Sequence, residues 1–285
     1  MCHDRSAHKE SGPVLLLATT LAVATEAAEG EGFETPSLAD FFPPPFAFAG
    51  SNFFELNRLS LVRIVATGLL VVVLYLGTRA LRVVPGRGGS LFEMAVGFVH
   101  NSIGASVLGP QAARRYLPLL ATIFFTVLGM NLTGVIPLLN IASTSLVAMP
   151  LTLAVIAFIA FVAAGIKAHG AAGYFRTALL PAGVPKPIYA ILTPIEFLST
   201  FILRPVTLTI RLMANMISGH FLLVAFFSMT NYLLISGVGA MKGLSVLSFG
   251  AALAFTAFEI FVAALQAYIF TLLTTVYISL AREAH

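Results

Sequence analysis

From Leu59 onward the chain alternates long apolar stretches with short polar punctuation. Leu59 to Val84 is mostly apolar, with Arg63 near its entry and Arg79 and Arg82 near its exit, where long side chains can reach the headgroups. Pro85, Gly86 and Arg87 then stop the helix, so this stretch predicts one upright span. Residues 90–112 mix Leu91, Phe92, Val96, Phe98, Ile103 and Val107 with Glu93, His100, Asn101, Ser102 and Gln111. That pattern predicts an amphipathic helix lying at the membrane interface. Residues 116–137 and 145–166 read as two further spans, a transmembrane hairpin joined by an uncharged loop around Asn140 to Thr144.

Two longer apolar stretches follow, 187–228 and 244–281, connected through Asn231 to Gly243. A continuous helix of roughly 40 residues would be about 60 Å long, twice the hydrocarbon thickness of about 30 Å. Each must break, kink or tilt strongly, and Pro194 and Pro205 supply kink sites in the first. The expected fold is therefore an all-α integral membrane protein. It has one upright span, an amphipathic interfacial helix, a transmembrane hairpin and two long, strongly tilted membrane helices.

Composition agrees: the 285 residues are 58% hydrophobic and 10% charged, with a mean hydropathy of +0.95. Residues 1–55 form a separate acidic extramembrane segment, with Glu26, Glu29, Glu31, Glu34, Asp40 and Glu55 and with Pro43 to Pro45 interrupting any helix. Residues 56–285 form the polytopic helical domain. Residues 14–24 imitate a signal peptide, but the preceding Asp4, Arg5, Lys9 and Glu10 cancel, and the expectation is an uncleaved tail.

The formal charge is +4, yet the basic residues are scattered between apolar segments and form no run, which argues against nucleic acid as a partner. They read instead as topology signals. Arg79, Arg82, Arg87, Arg114 and Arg115 occupy one loop region and Lys167, Arg176 and Lys186 another, which puts both in the cytoplasm. The N-terminus is then outside and the C-terminus cytoplasmic. No Arg-rich, acid-poor transit peptide is evident, which favours a bacterial plasma membrane. Cys2 is the single cysteine, so a disulfide framework, a CxxC pair and redox chemistry are excluded.

Ionisable residues inside apolar segments cost about 2.5 to 3.5 kcal/mol each on insertion scales and are functional candidates for that reason. The last third of the chain holds Glu196, Arg204, Arg211, His220 and Glu259, with the amides Asn215 and Gln266 nearby. Arg204, Arg211 and Asn215, at intervals of seven and four, share one helical stripe, and Glu259 and Gln266, seven apart, form a second. His220 lies nine residues after Arg211, about half a turn round, and should face a different cavity or the neighbouring helix. Bland readings compete: Arg204 can snorkel and Glu196 can cap a kinked turn. Arg211 sits among Leu208, Ile210, Leu212 and Met213, and a guanidinium cannot discharge itself to escape desolvation. His220 and Glu259 form either a satisfied buried pair or a proton relay. The histidines lack helical partners at metal-ligand spacing, so no metal and no cofactor is expected. The Asn131-Leu132-Thr133 sequon lies inside a span and reads as accidental. No GxxxxGK[ST], GxGxxG or GxSxG stretch occurs, and no catalytic site of the chain's own is expected.

The stretch from Arg204 and Pro205 through Arg211, Leu212, Asn215, Ser218 and Gly219 to His220 closely resembles the signature of subunit a of F-type ATP synthases, an Arg-Leu-x-x-Asn-x-x-x-Gly run six residues after a proline. Leu265 to Phe270, with Leu273, Thr274, Tyr277 and Ser279, is similar to that family's final helix, and Asn131, Leu132, Gly134, Ile136 and Pro137 to its hairpin segment. The resemblance covers roughly residues 55–281. It implies that Arg211 is the essential arginine facing a rotating c-ring, with Asn215 and Gln266 beside it. It implies that His220 and Glu259 are an outer half-channel pair, here in the order His then Glu. Glu196 corresponds to a half-channel carboxylate, although it lies nine residues before Pro205, one more than the family's usual interval; Arg204 and Ser218 are secondary candidates.

The implied function is that of a stationary proton-translocating subunit, in which two offset half-channels meet the c-ring carboxylates and Arg211 keeps them apart. A proton crossing 100 mV supplies about 2.3 kcal/mol, and rotation sums several such contributions. The implied partners are the c-ring, the peripheral-stalk b subunits, the remaining ATP synthase subunits and membrane lipid. A proton-coupled secondary transporter is the main alternative; it predicts repeated halves, and the sequence has no internal repeat. A passive assembly scaffold, the second alternative, would not need Arg211 deep in a span.

Overall fold

The computed structural model describes residues 58–80, 87–136, 147–180, 188–235 and 240–283. The acidic N-terminal segment and the turn around Asn140 to Thr144 lie outside them. All regular structure among the described residues is helical. α1 is Arg58–Ala80 and α2 is Arg87–Phe98, which runs on through a π-helical segment, Val99–Ala105, and a last turn, Ser106–Leu108. α3 is Pro110–Leu132, α4 is Ala148–His169 and α5 is Ala171–Leu179. α6, Tyr189–Phe197, passes through a second π segment, Leu198–Leu203, into α7, Arg204–Ile235; α8 is Ala240–Glu283.

Among the described residues, six helices are long and apolar enough to cross a membrane: Ser60–Arg79, Gly88–Leu108, Pro110–Leu132, Ala148–Leu179, Tyr189–Ile235 and Lys242–Glu283. Their outward faces are greasy. Ile64 is 64% exposed and Val246 73% exposed, as expected where lipid rather than water meets the surface. The chain is an all-α integral membrane protein.

Helix boundaries follow local chemistry. Gly109 takes φ 77° and Pro110 opens α3, so the helix begins six residues before the expected 116. Gly170, with φ 73°, separates α4 from α5. Between Pro194 and Pro205, each lacking a donor for the carbonyl four residues earlier, the wide π turn of Leu198–Leu203 replaces regular α hydrogen bonding. The interruption expected from the prolines therefore takes the form of a wide turn.

The interfacial helix expected over 90–112 is paired antiparallel along α3. Phe92 stacks on Phe125 with centroids 5.8 Å apart, and a Cβ at Gly104 would stand 3.2 Å from that of Ala113. Val99 and Ile103 are fully buried, whereas the polar Glu93, Asn101 and Ser102 are exposed. Of the two helices expected to form a hairpin, α3 packs on α2 and α8 and α4 on α7 and α8, and neither takes the other as a principal neighbour. Leu120, Ile123 and Val127 of α3 and Leu153, Ala154 and Ala157 of α4 share one core with Leu208 and Leu212 of α7 and Ala267 and Phe270 of α8.

α8 can sit among its neighbours because its buried side is small: Ala263, Ala267, Thr271, Thr274 and Thr275. The threonine hydroxyls donate to carbonyls one turn earlier, Thr271 to Ala267 at 2.8 Å and Thr275 to Thr271 at 2.7 Å, so their burial leaves no orphaned donor.

Candidate functional site

α7 and α8 run antiparallel in a register that named pairs fix. Arg204 lies over the ring of Tyr277, 4.9 Å from its centroid. Asn215 Nδ2 donates to Gln266 Oε1 at 2.9 Å. Gly219 faces Glu259, Phe226 stacks on Phe255 at 4.9 Å, and Thr230 donates to Ser248 at 3.0 Å. Each step forward on α7 is a step back on α8. The two polar stripes expected from spacing thus meet along one seam.

At the centre of the seam Arg211 is half-buried, one turn before Asn215. No carboxylate among the described residues pairs with it. Its neighbours on the outward side, Ile210, Ala214 and Ser218, are exposed. The hydroxyl of Ser218 is spent on its own helix, donating to Ala214 O at 2.9 Å, so Ser218 contributes a small surface rather than a directed polar group.

On the far side of Asn215, His220 and Glu259 are 7% and 3% exposed. The carboxyl group of Glu259 lies against Gly219, where a Cβ would come within 3.2 Å of Oε1. Neither carboxylate oxygen has a hydrogen-bond partner among the described residues, so no hydrogen bond joins Glu259 to His220. It is Gly219, the residue before His220, that meets the Glu259 carboxyl group across the seam. A buried carboxyl group not fixed by donors is suited to gaining and losing a proton, because no network must be rebuilt each time.

On the near side, Glu196, Thr200 and Arg204, four residues apart, line a cavity of about 130 Å³ together with Tyr174, Thr177, Ala178, Leu280 and Ala281. Arg204 does not snorkel outward. It is half-buried between the rings of Tyr277 and Phe161, the latter at 5.9 Å. Glu196 is half-buried and caps no helix end. Gly219, Thr200, Tyr277 and Phe161 are the participants that sequence reasoning did not assign. The four-residue steps from Glu196 to Thr200 to Arg204 were the available signal for Thr200. Asn131 and Thr133 are 0% and 3% exposed, which removes the sequon from any modifying enzyme.

A bundle of membrane-length helices in which polar residues of two helices meet along one seam, with a carboxyl group and an imidazole buried in it, defines a polytopic membrane protein. The family model for the ATP synthase A chain matches residues 60–279. ATP synthase subunit a of Rhodococcus erythropolis is 45% identical over 265 residues, 93% of this chain and 95% of that protein. The subunit a proteins of Frankia alni and Pseudarthrobacter chlorophenolicus are 40% and 36% identical, over 87% and 93% of this chain and 86% and 98% of their own lengths. The chain belongs to the ATP synthase A chain family.

Proposed function

We propose that this chain is the stationary proton-translocating subunit of a rotary F-type ATP synthase in a bacterial plasma membrane, with Arg211 separating two half-channels. The observation that carries the reading is the seam between α7 and α8. Its centre holds the half-buried guanidinium of Arg211, which pairs with no carboxylate among the described residues, with a buried carboxyl group and imidazole on one side and a carboxylate-lined cavity on the other.

Each component then has a task. A proton enters past Glu259 and His220 and neutralises a carboxylate of the c-ring; the neutral site rotates away, and the next one gives up its proton toward Glu196. Arg211 attracts the ionised c-ring carboxylate and repels a hydrated proton, so the proton rides the ring and does not cross directly. Asn215 and Gln266 tie α7 to α8 beside the arginine and fix its height. The exposed Ile210, Ala214 and Ser218 of α7 give the ring a low surface that lets it approach.

In this reading α1 stands upright, α2 rides on α3 with Glu93, Asn101 and Ser102 toward the interface, and α7 and α8 lie strongly tilted along the curved ring. A helix of 44 residues such as α8 is about 66 Å long, too long to stand upright in a core of about 30 Å. The N-terminus is outside, residues 1–55 stay outside the membrane domain, and the C-terminus is cytoplasmic. Peripheral-stalk b subunits and lipid cover the remaining apolar faces, and nucleotide chemistry belongs to other subunits of the complex.

The test compares ATP-driven proton pumping and passive proton leak in inverted vesicles carrying native chain or Arg211→Ala at matched assembly. Lost pumping with leak retained or increased supports the barrier; normal pumping sinks it.

A further inference from the structure

The cavity beside Glu196 poses a problem of its own. It holds a permanent cation and a carboxylate, both half-buried, and in low dielectric two such groups normally collapse into an ion pair. They have not done so: no ion pair among the described residues joins Arg204 to Glu196. The guanidinium is instead directed to aromatic faces, 4.9 Å from the ring centroid of Tyr277 on α8 and 5.9 Å from that of Phe161 on α4. Phe161 is itself clamped, 2% exposed and edge-on to both Phe158 and Tyr277 at 5.1 and 6.0 Å. The aromatic seat is thus built by two helices other than the one that carries the arginine.

We propose that Tyr277 and Phe161 are positioning residues that hold Arg204 off Glu196, keeping the cavity open as a site for water and hydronium where Glu196 exchanges protons. The inference rests on the proton-translocating reading above and names the machinery of its second half-channel. A carboxylate locked to a guanidinium would give up its partner each time it took a proton. One left facing water can exchange its proton with the cavity without first breaking an ion pair. About 130 Å³ accommodates on the order of four water molecules, and Thr177, Thr200, Tyr174 and the two charged groups supply hydroxyls and charges to hold them. Leu280, half exposed at the rim, leaves a way out to the end of α8 that carries Arg282.

The experiment uses the assembled complex in inverted vesicles. Tyr277→Phe keeps the ring and should pump within about twofold of the native chain, whereas Tyr277→Leu removes the seat and should lose on the order of tenfold in pumping at matched assembly. The rescue by Phe distinguishes a ring that positions a cation from a hydroxyl or a packing role. In a Cys2→Ser background, which contains no other cysteine, Ala178→Cys should react with a small charged methanethiosulfonate in the native cavity. It should react at least severalfold more slowly when Tyr277 is Leu, as the collapsed pair closes the space. Equal pumping by the Leu and native chains, equal losses with Phe and Leu, or no reaction at Ala178→Cys in the native cavity would each overturn the proposal. If Tyr277→Leu does not assemble, the native-cavity reaction decides alone. Arg211→Ala in the same vesicles separates the two failures: normal pumping there removes the proton reading itself, while lost pumping there with an indifferent Tyr277→Leu removes only the aromatic seat.

Discussion

Glu259 of α8 lays its carboxyl group on the bare backbone of Gly219 of α7, so a methyl group at position 219 would stand 3.2 Å from Oε1 and 3.4 Å from the carboxyl carbon. Gly219 is helical, and its value is the space it leaves for the carboxyl group.

Gly219→Ala should therefore displace Glu259 by a few tenths of an ångström without unfolding the seam. Pumping should fall by about tenfold, short of the roughly hundredfold that a full ångström of misplacement costs. Gly219→Leu should abolish it. Both are read as ATP-driven proton uptake per assembled complex; full activity in Gly219→Leu would show that Glu259 has no fixed position to protect.

Glu259→Gln separates folding from function. Both carboxylate oxygens are buried without hydrogen bonds among the described residues, so an amide of the same shape removes a desolvated ionisable group and breaks no bond. The melting temperature of the detergent-purified complex should be unchanged or raised. Loss of a proton carrier should lower pumping by at least about a hundredfold. A strong drop in melting temperature would reveal a structural partner for Glu259.

The hydrogen bond from Asn215 to Gln266 fixes the register beside Arg211. Truncating either partner leaves the other, half-buried Asn215 or buried Gln266, without that bond, at a cost of about 1–3 kcal/mol. Asn215→Ala and Gln266→Ala should each destabilise the complex by that order, and the double variant should cost clearly less than both together, since the second truncation removes a group already orphaned. Strict additivity in chemical denaturation would mean that the bond carries no coupling.

The sequence disclosed elements better than their partners. Period and length located α1, α3, α4 and the two long stretches to within a few residues at most ends, because apolar content over about 20 residues is a local property. The early start of α3 depended on Gly109 and Pro110 acting together. The neighbours of α3 and α4 were not legible, because α3 packs on α8 and α4 on α7 and α8, elements far along the chain. Likewise the polar residues of α2 suggested a surface helix, whereas its pairing along α3 depends on Gly104 meeting Ala113 and Phe92 meeting Phe125. In the site, intervals of four and seven grouped Arg204, Arg211 and Asn215, which lie on α7, and Glu259 and Gln266, which lie on α8. They could not show that Arg204 rests on aromatic rings from α8 and α4. Glu196, one residue out of the family's usual step, reaches the cavity through the Leu198–Leu203 turn, whose π spacing takes up an extra residue that an α-helical reading cannot place.

Gly165 supplies the remaining test, at the edge of the same cavity. A methyl group there would run into Cδ2 and Cε2 of Tyr174, whose ring is 2% exposed and lines the cavity wall. The ring cannot yield easily, because it packs edge-on to Phe175 at 5.6 Å and Phe175 stacks on Phe201 of the π segment. Overpacking at such a site costs about 1–3 kcal/mol, so Gly165→Ala should lower the melting temperature of the complex. It should also slow thiol modification at Ala178→Cys, as the displaced ring moves into the cavity. Adding Tyr174→Leu makes room for the methyl group, and the double variant should recover part of the stability lost in Gly165→Ala. A double variant less stable than either single one would mean that α4 and α5 move apart in response to the methyl group, with Tyr174 following them.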